Sequence, residues 1–215
     1  VVLPPVQDFK RAFDGDEGPN TGGMGSYAPA GALDLDAVLE QVHRPVLAEL
    51  AHRGSPFVGV LFAGLMLTES GPQVLEFNAR FGDPETQSLV PLLEGDLLGT
   101  LAAAARGELR GAALGLSGGT AVTVVLAAGG YPAEGDTGSA IEGIEAAEAT
   151  GAHVFHAGTA LHGGRLVTNG GRILNVTAAA ETLEAARARA YAAADLISFP
   201  AMRYRRDIAR QAGHG

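Results

Sequence analysis

Cysteine is absent from this 215-residue sequence. That rules out a disulfide framework and a thiolate zinc site, and it fits a reducing cytoplasm. Long apolar runs are also lacking: none reaches the roughly 18 residues of a membrane-spanning helix, and no charged-then-apolar leader is visible. Positive charge is scarce, with 15 Lys and Arg against 24 Asp and Glu and a formal charge of -9. A sequence-independent grip on nucleic acid needs a basic face, so neither nucleic acid nor membrane is an expected partner, and small-molecule chemistry is favoured. The chain is 47% hydrophobic and 18% charged, enough for one large globular domain or two small ones with real cores. It opens on Val-Val-Leu-Pro-Pro rather than methionine. This reads as a strand already under way, so the chain is expected to be the later part of a longer protein.

The run Gln73 to Thr86 carries the clearest chemical signal. Alternate side chains of a strand share a face, so Val74, Glu76, Asn78 and, if the strand runs on, Arg80 are expected to point one way, with Leu75 and Phe77 pointing the other. A carboxylate, an amide and a guanidinium in a row are costly to bury without partners, so a polar ligand is expected there. Glu76 and Asn78 offer hard oxygens suited to Mg²⁺, which takes a few protein oxygens and leaves the rest of its shell to phosphates and water. The preceding apolar run, Phe57 to Thr68, reads as a strand buried on both faces. The turn Glu69-Ser70-Gly71-Pro72 would join it to the Glu76 strand as an antiparallel hairpin. Beyond the strand, Asp83 is expected to cap a helix, with Pro84 at its first position and Glu85 favoured by the positive N-terminus. Pro91 and Gly95 interrupt that helix, and Asp96 can cap a second one running through Ala105 to Gly107.

Upstream, Val1 to Arg11 reads as a strand ending in the polar residues Gln7, Asp8, Lys10 and Arg11. Asp14 to Tyr27 reads as a Gly-rich loop in which Gly22, Gly23 and Gly25 permit backbone angles closed to other residues. Such a loop is either a flexible surface segment or an anion nest of backbone N–H groups; no Gly-Lys-Ser/Thr ending marks it as a Walker loop. Asp34 can cap a packing helix through Leu50, kinked at Pro45, on or near which His43 and His52 read as ordinary surface histidines. The composition loosens around Gly111 to Gly119, which suggests a boundary and two parts, 1–112 and 113–215. In the second part, Thr120 to Ala128, Ile141 to Ile144, His153 to Ala157 and Arg165 to Thr168 read as strands. Asn169-Gly170-Gly171 reads as a hairpin turn into Arg172 to Val176. Thr182 caps an Ala-rich helix to about Ile197. His153, His156 and His162 lack the clustered partners of a metal site, and Arg203 to Arg210 reads as a short basic tail, either a solvated end or a lobe contact.

Together these features supply a cation, a candidate anion nest, metal ligands and a guanidinium, the parts phosphoryl chemistry requires. The segments that supply them also carry a resemblance. Gln7-Asp8-Phe9-Lys10-Arg11, Gly18-Pro19-Asn20-Thr21-Gly22-Gly23-Met24-Gly25, Phe62-Ala63-Gly64-Leu65-Met66 and Glu76-Phe77-Asn78-Ala79-Arg80-Phe81-Gly82-Asp83-Pro84-Glu85-Thr86 resemble the phosphoribosylamine-glycine ligase family of the ATP-grasp superfamily. Ala127 to Pro132, Val154 to Thr159 and Thr168 to Arg172 look like that family's C-terminal lobe.

The resemblance implies an α+β fold: the C-terminal part of an ATP-grasp domain, an antiparallel sheet with flanking helices, over 1–112, then a small β-rich lobe with one long helix over 113–215. It implies that the family's N-terminal domain and ATP lid precede the first residue. The implied reaction joins glycine to 5-phosphoribosylamine, with ATP cleaved to ADP and phosphate through a glycyl-phosphate, in cytoplasmic purine synthesis. By the same resemblance Glu76 and Asn78 would hold Mg²⁺ or Mn²⁺, Arg80 and Lys10 would be catalytic, and Asp8, Asn20, Thr21, Gly22, Gly23, Met24, Gly25, Asp83, Pro84 and Glu85 would bind substrate. One departure stands out: many relatives carry a further acidic ligand at a position equivalent to about Gly64, and none is present here. The alternatives are another carboxylate-amine ligase of the superfamily, a non-catalytic fragment lacking a complete ATP site, or a plain structural α/β domain.

Overall fold

The structure is a computed structural model and describes residues 1–31, 33–109 and 114–210. Its elements in chain order are β1 (Gln7–Asp8), β2 (Arg11–Phe13), β3 (Glu17–Asn20), β4 (Gly25–Ala28), α1 (Leu35–Val38), a π-helical turn (Leu39–His43), α2 (Arg44–His52), β5 (Phe62–Thr68), β6 (Gly71–Asn78), α3 (Glu85–Leu89), β7 (Leu93–Glu94), α4 (Leu97–Ala105), β8 (Gly115–Leu116), β9 (Thr120–Ala127), β10 (Asp136–Ala140), α5 (Ile144–Glu148), β11 (His153–His156), β12 (Thr159–His162), β13 (Arg165–Gly170), β14 (Arg172–Ala180) and α6 (Leu183–Ala194). The fold is α+β, and the pairings between these strands are antiparallel.

Two compact units arise, and neither is continuous in sequence. One comprises Val1–Pro5, Ala32–Gly82 and Leu93–Ser117; the other comprises Val6–Gly31, Asp83–Leu92 and Gly118–Gly215. The expected junction at 112/113 falls outside the described residues, and each compact unit draws on segments from both sides of it. Residues 6–31 join the later part because β4 pairs with β9, Gly25 lying opposite Val124 and Ala28 opposite Ala121.

The larger unit is built on a five-stranded sheet in the order β1-β4-β9-β14-β11. β9, Thr-Ala-Val-Thr-Val-Val-Leu-Ala, is central, and all but its first residue are buried, as its β-branched content favours. Val122, Val124 and Leu126 on one face pack with Leu174, Val176 and Ala178 of β14 and with Ala186, Ala190, Ala193 and Ala194 of α6. Each fully buried Val or Leu contributes on the order of 1.5–3 kcal/mol, and the alanines let α6 approach closely. Thr182 caps that helix by accepting from the Ala185 N–H at 3.2 Å. The helix ends at Ala194 rather than near Ile197, which is buried beyond it.

Several local expectations are corrected here. Val1 to Arg11 is not one strand: Pro4 and Pro5 cannot donate to a ladder, and only Gln7–Asp8 pairs with β4. Asp14 to Tyr27 is not a long loop, because a 3-10 turn at Asp14–Asp16, β3 and β4 occupy most of it. Ile141 to Ile144 is not a strand; Glu142 bridges Ser198 and Ile144 begins α5, while a strand the sequence reading lacked, β10, precedes them. Asn169-Gly170-Gly171 does not close a hairpin. β13 pairs with β10 and β12 in a three-stranded sheet, whereas β14 pairs with β9 and β11. A side chain at Gly171 would come within 2.4 Å of the Tyr131 ring, so the glycine serves a tight passage between two sheets.

The smaller unit begins with the helix Asp34 caps, its carboxylate accepting from the Ala37 N–H at 2.9 Å. Pro45 sits in the first turn of α2, where a missing N–H is harmless, and the irregularity is the π-helical turn before it. Asp96 caps α4 through the Gly99 N–H at 2.7 Å. The hairpin forms as expected, but β5 starts at Phe62 rather than Phe57. It is not buried on both faces, since Met66 and Leu67 are exposed.

Candidate active site

In the smaller unit, β6 pairs with β5 so that Asn78 lies opposite Phe62 and Glu76 opposite Gly64; the next pair is Val74 with Leu65. Leu75 is therefore an extra, bulged residue. Paired residues share a face, so Glu76 and Asn78 lie together while Val74 falls on the other face, which corrects the expected three-residue row. Asn78 Nδ2 donates to Glu76 Oε1 at 3.0 Å. That leaves Glu76 Oε2 and Asn78 Oδ1 as hard oxygens on one face of the hairpin. Across the ladder, a Cβ on Gly64 would stand 3.2 Å from Glu76 Cγ, so the glycine leaves room where other relatives are expected to carry an acid. Among the described residues no group of three or more metal-binding side chains converges. The chemistry of the pair, one carboxylate oxygen and one amide oxygen, fits a hard cation that takes few protein oxygens, such as Mg²⁺. The strand stops at Asn78, so Arg80 lies beyond the ladder, its Nη1 donating to Phe81 O at 2.8 Å.

In the larger unit, β1 and its continuation bring two acids and the chain's one lysine together. Lys10 forms an ion pair with Asp8 and lies 3.9 Å from Glu85 Oε1. Glu85 is only 5% exposed, and its Oε2 is buried without a hydrogen-bond partner among the described residues. Burial, and next the Asp8 carboxylate, push the Glu85 carboxyl above its ordinary range, against the lowering pull of a backbone hydrogen bond and Lys10.

Asp83 does not cap α3, a further correction. The cap position is Pro84, without a side-chain bond, and Asp83 Oδ1 instead accepts from Gln87 Nε2 at 3.3 Å. What seats this turn is a row of buried hydroxyls that the sequence reading missed. Ser26 Oγ donates to Pro84 O at 2.8 Å. Its single proton being spent there, it accepts from Ser88 at 2.7 Å, Ser88 accepts from Thr123 at 2.7 Å, and Thr123 accepts from Thr177 at 2.8 Å.

The segment after Asn20 is short, and its N–H groups are already engaged. Thr21 N donates to Lys10 O at 2.7 Å, Gly22 N to the Tyr131 hydroxyl at 2.9 Å, Gly23 N to Thr21 Oγ1 at 3.0 Å and Met24 N to Phe9 O at 2.8 Å. The expected nest of free amides is corrected: these donors fold the turn. Gly23 has φ +119°, and a Cβ there would meet Pro84 Cδ at 2.4 Å; a Cβ on Gly25 would meet Thr123 O at 2.6 Å. Glycine is required at both positions for close approach. Tyr131 and Arg172 touch this turn and were not among the candidate residues, although both lie in motifs that carried the resemblance.

The fold recurs in distant solved structures. N5-carboxyaminoimidazole ribonucleotide synthetase from Thermotoga maritima aligns over 82% of this chain and 46% of its own, with a TM-score of 0.55 at 19% identity, a likeness of fold. The fold is that of an ATP-grasp protein: residues 1–86 match the phosphoribosylglycinamide synthetase ATP-grasp (A) domain, and residues 121–211 match the C domain of the same synthetase. The phosphoribosylamine–glycine ligase of Mesorhizobium japonicum is 49% identical over 96% of this chain and 49% of its own length. That of Caulobacter vibrioides is 50% identical over 97% of this chain and 50% of its own. The crystal structure of the Thermotoga maritima ligase superposes with a TM-score of 0.85 at 40% identity, covering 97% of this chain and 52% of that one. The chain belongs to the phosphoribosylglycinamide synthetase family. It spans about half the length of these ligases.

Proposed function

We propose that the protein containing this chain joins glycine to 5-phosphoribosylamine, forming glycinamide ribonucleotide while ATP becomes ADP and phosphate, as a cytoplasmic step of purine synthesis. The observation that carries this reading is the Glu76–Asn78 oxygen pair on β6, in a chain that follows phosphoribosylamine–glycine ligases over 96% of its length. A glycine carboxylate oxygen attacks the γ-phosphorus and the bond to ADP breaks, giving glycyl-phosphate. The amine nitrogen of phosphoribosylamine then attacks the acyl carbon, the carbon–oxygen bond to phosphate breaks, and the amine sheds a proton. Glu76 and Asn78 would hold Mg²⁺ or Mn²⁺, which when bound screens charge on the ATP phosphates. Arg80 neutralises the transferring phosphoryl group or orients the glycine carboxylate. Lys10 meets a phosphate and Asp8 the acceptor amine. Asn20, Thr21, Gly22, Gly23, Met24 and Gly25, with Asp83, Pro84 and Glu85, shape the phosphoribosyl side.

The test supplies ATP, Mg²⁺, glycine and phosphoribosylamine to the full-length protein. Glu76→Ala is expected to lower phosphate release by more than the roughly 10–100-fold that loss of an outer-shell partner brings. Unchanged release would sink the metal assignment. ADP formation with a different acceptor amine, and not with phosphoribosylamine, would favour another carboxylate-amine ligase of the superfamily.

A further inference from the structure

Three backbone carbonyls converge on one side chain in the larger unit. Arg172 Nη1 lies 2.9 Å from Gly22 O, 3.4 Å from Gly23 O and 2.9 Å from Asp83 O, and 3.3 Å from the Asp83 carboxylate. These groups belong to two segments about sixty positions apart, the Gly22–Gly23 turn and the turn leading into Glu85. Their carbonyl oxygens carry partial negative charge and would repel one another if brought to one point without a cation between them. Arg172 opens β14, opposite Ala127 of the buried central strand, so the guanidinium is presented from a rigid base. The Gly22 N–H is taken by the Tyr131 hydroxyl, and the Tyr131 ring packs where Gly171 has no side chain. One residue thus gathers the carbonyls of the turn while its neighbour takes up an amide of the same turn.

We propose that Arg172, assisted by Tyr131, is a positioning residue for the acceptor-substrate half of the site. It fixes the Gly22–Gly23 turn against the Asp83–Glu85 turn and thereby sets the affinity for the phosphoribosyl amine, without itself touching the reacting atoms. The substrate named here rests on the function proposed above; the positioning does not.

The experiment compares full-length Arg172→Met, Arg172→Lys and Tyr131→Phe with the unmodified protein. Arg172→Met is expected to raise KM for phosphoribosylamine at least about ten-fold, the worth of one charge-assisted hydrogen bond. KM for ATP should stay within about two-fold, and Arg172→Lys should recover part of the loss because it keeps the charge. Amide hydrogen exchange at Gly22 and Gly23 is expected to quicken in Arg172→Met and, at Gly22, in Tyr131→Phe. A variant that merely folds less well would lower kcat by loss of active protein and leave both KM values alone. The proposal is overturned if the acceptor KM and the exchange at Gly22 and Gly23 match the unmodified protein in Arg172→Met, or, should that variant not fold, in Tyr131→Phe. An unmodified full-length protein that forms no ADP with these substrates would defeat the proposed function instead. The exchange measurement would then decide the positioning alone.

Discussion

Glu85 is the residue at which burial and charge conflict most openly. Its carboxyl is pushed up first by desolvation and then by Asp8, so the folded state binds its proton more tightly than the unfolded chain does. The sign follows from linkage: the contribution to stability is fully present below the ordinary carboxylate pKa and is lost as pH rises through the raised folded value. Glu85→Gln should remove that slope. Urea unfolding followed across the acidic to neutral range is expected to show stability falling with pH in the unmodified protein and a flatter profile in the variant. Identical profiles would show that Glu85 is solvated in the folded state. Residues of this kind are only half legible in a sequence. Glu76 and Asn78 could be placed on one face because the bulge at Leu75 precedes them, leaving their two-residue spacing intact. Val74 could not, because the bulge lies between it and Glu76. Burial of Glu85 was invisible, since it depends on β4 and β9 lying beside α3.

At the scale of elements, the hydroxyl row decides how α3 is seated. Ser26, Ser88, Thr123 and Thr177 are all fully buried, and they link β4, α3, β9 and β14 in one donor-to-acceptor direction ending at the Pro84 carbonyl. Thr123→Val keeps the shape but removes the central hydroxyl, stranding the Thr177 donor and leaving Ser88 without one to accept. The expected loss is about 1–3 kcal/mol in urea unfolding, the range for a buried polar group left unpaired. Adding Thr177→Val should then cost less than Thr177→Val does alone, because the stranded donor disappears with it. Strict additivity would mean the hydroxyls do not act as a row. Nothing in periodicity announces such a row, because Ser and Thr at strand positions read equally well as edge or surface residues. The β5–β6 hairpin, by contrast, was legible from its turn and flanking apolar runs. Asn169-Gly170-Gly171 misled for the complementary reason: glycine and asparagine show that the chain turns, not which strands pair afterwards.

Across the whole molecule, the most distant contacts in sequence converge on Arg205, read in the sequence as part of a basic tail and here only 1% exposed. Its Nε and Nη2 donate to the two Asp207 oxygens at 2.7 Å each, and its Nη1 to Asp16 Oδ1 at 2.7 Å and Arg11 O at 3.1 Å. The guanidinium also lies over the Phe9 ring, 5.2 Å from its centroid. Beside it, Gly15 N donates to Asp207 Oδ2 at 2.8 Å and Arg206 N to Asp14 Oδ1 at 2.7 Å. Residues 205–207 therefore lace back onto the turn between β2 and β3. Of the two carboxylates Asp207 is the more buried, its side chain 15% exposed against 67% for Asp16. Arg205→Met should therefore leave one buried carboxylate uncompensated and destabilise the protein by about 3 kcal/mol. Burial pushes the Asp207 carboxyl up, but the Arg205 hydrogen bonds and the Gly15 N–H hold it below its ordinary range. Its contribution is thus present above the ordinary carboxylate pKa and is lost as pH falls through the depressed value. In Arg205→Met burial acts unopposed by the guanidinium, a shift upward that should shrink or reverse the acid loss. The double variant Arg205→Met, Asp207→Asn removes the stranded charge and should regain part of the stability at neutral pH while losing that shift. If the double variant is less stable than Arg205→Met by the full cost of Asp207→Asn alone, the two side chains act independently and the clasp is not an ion pair in effect.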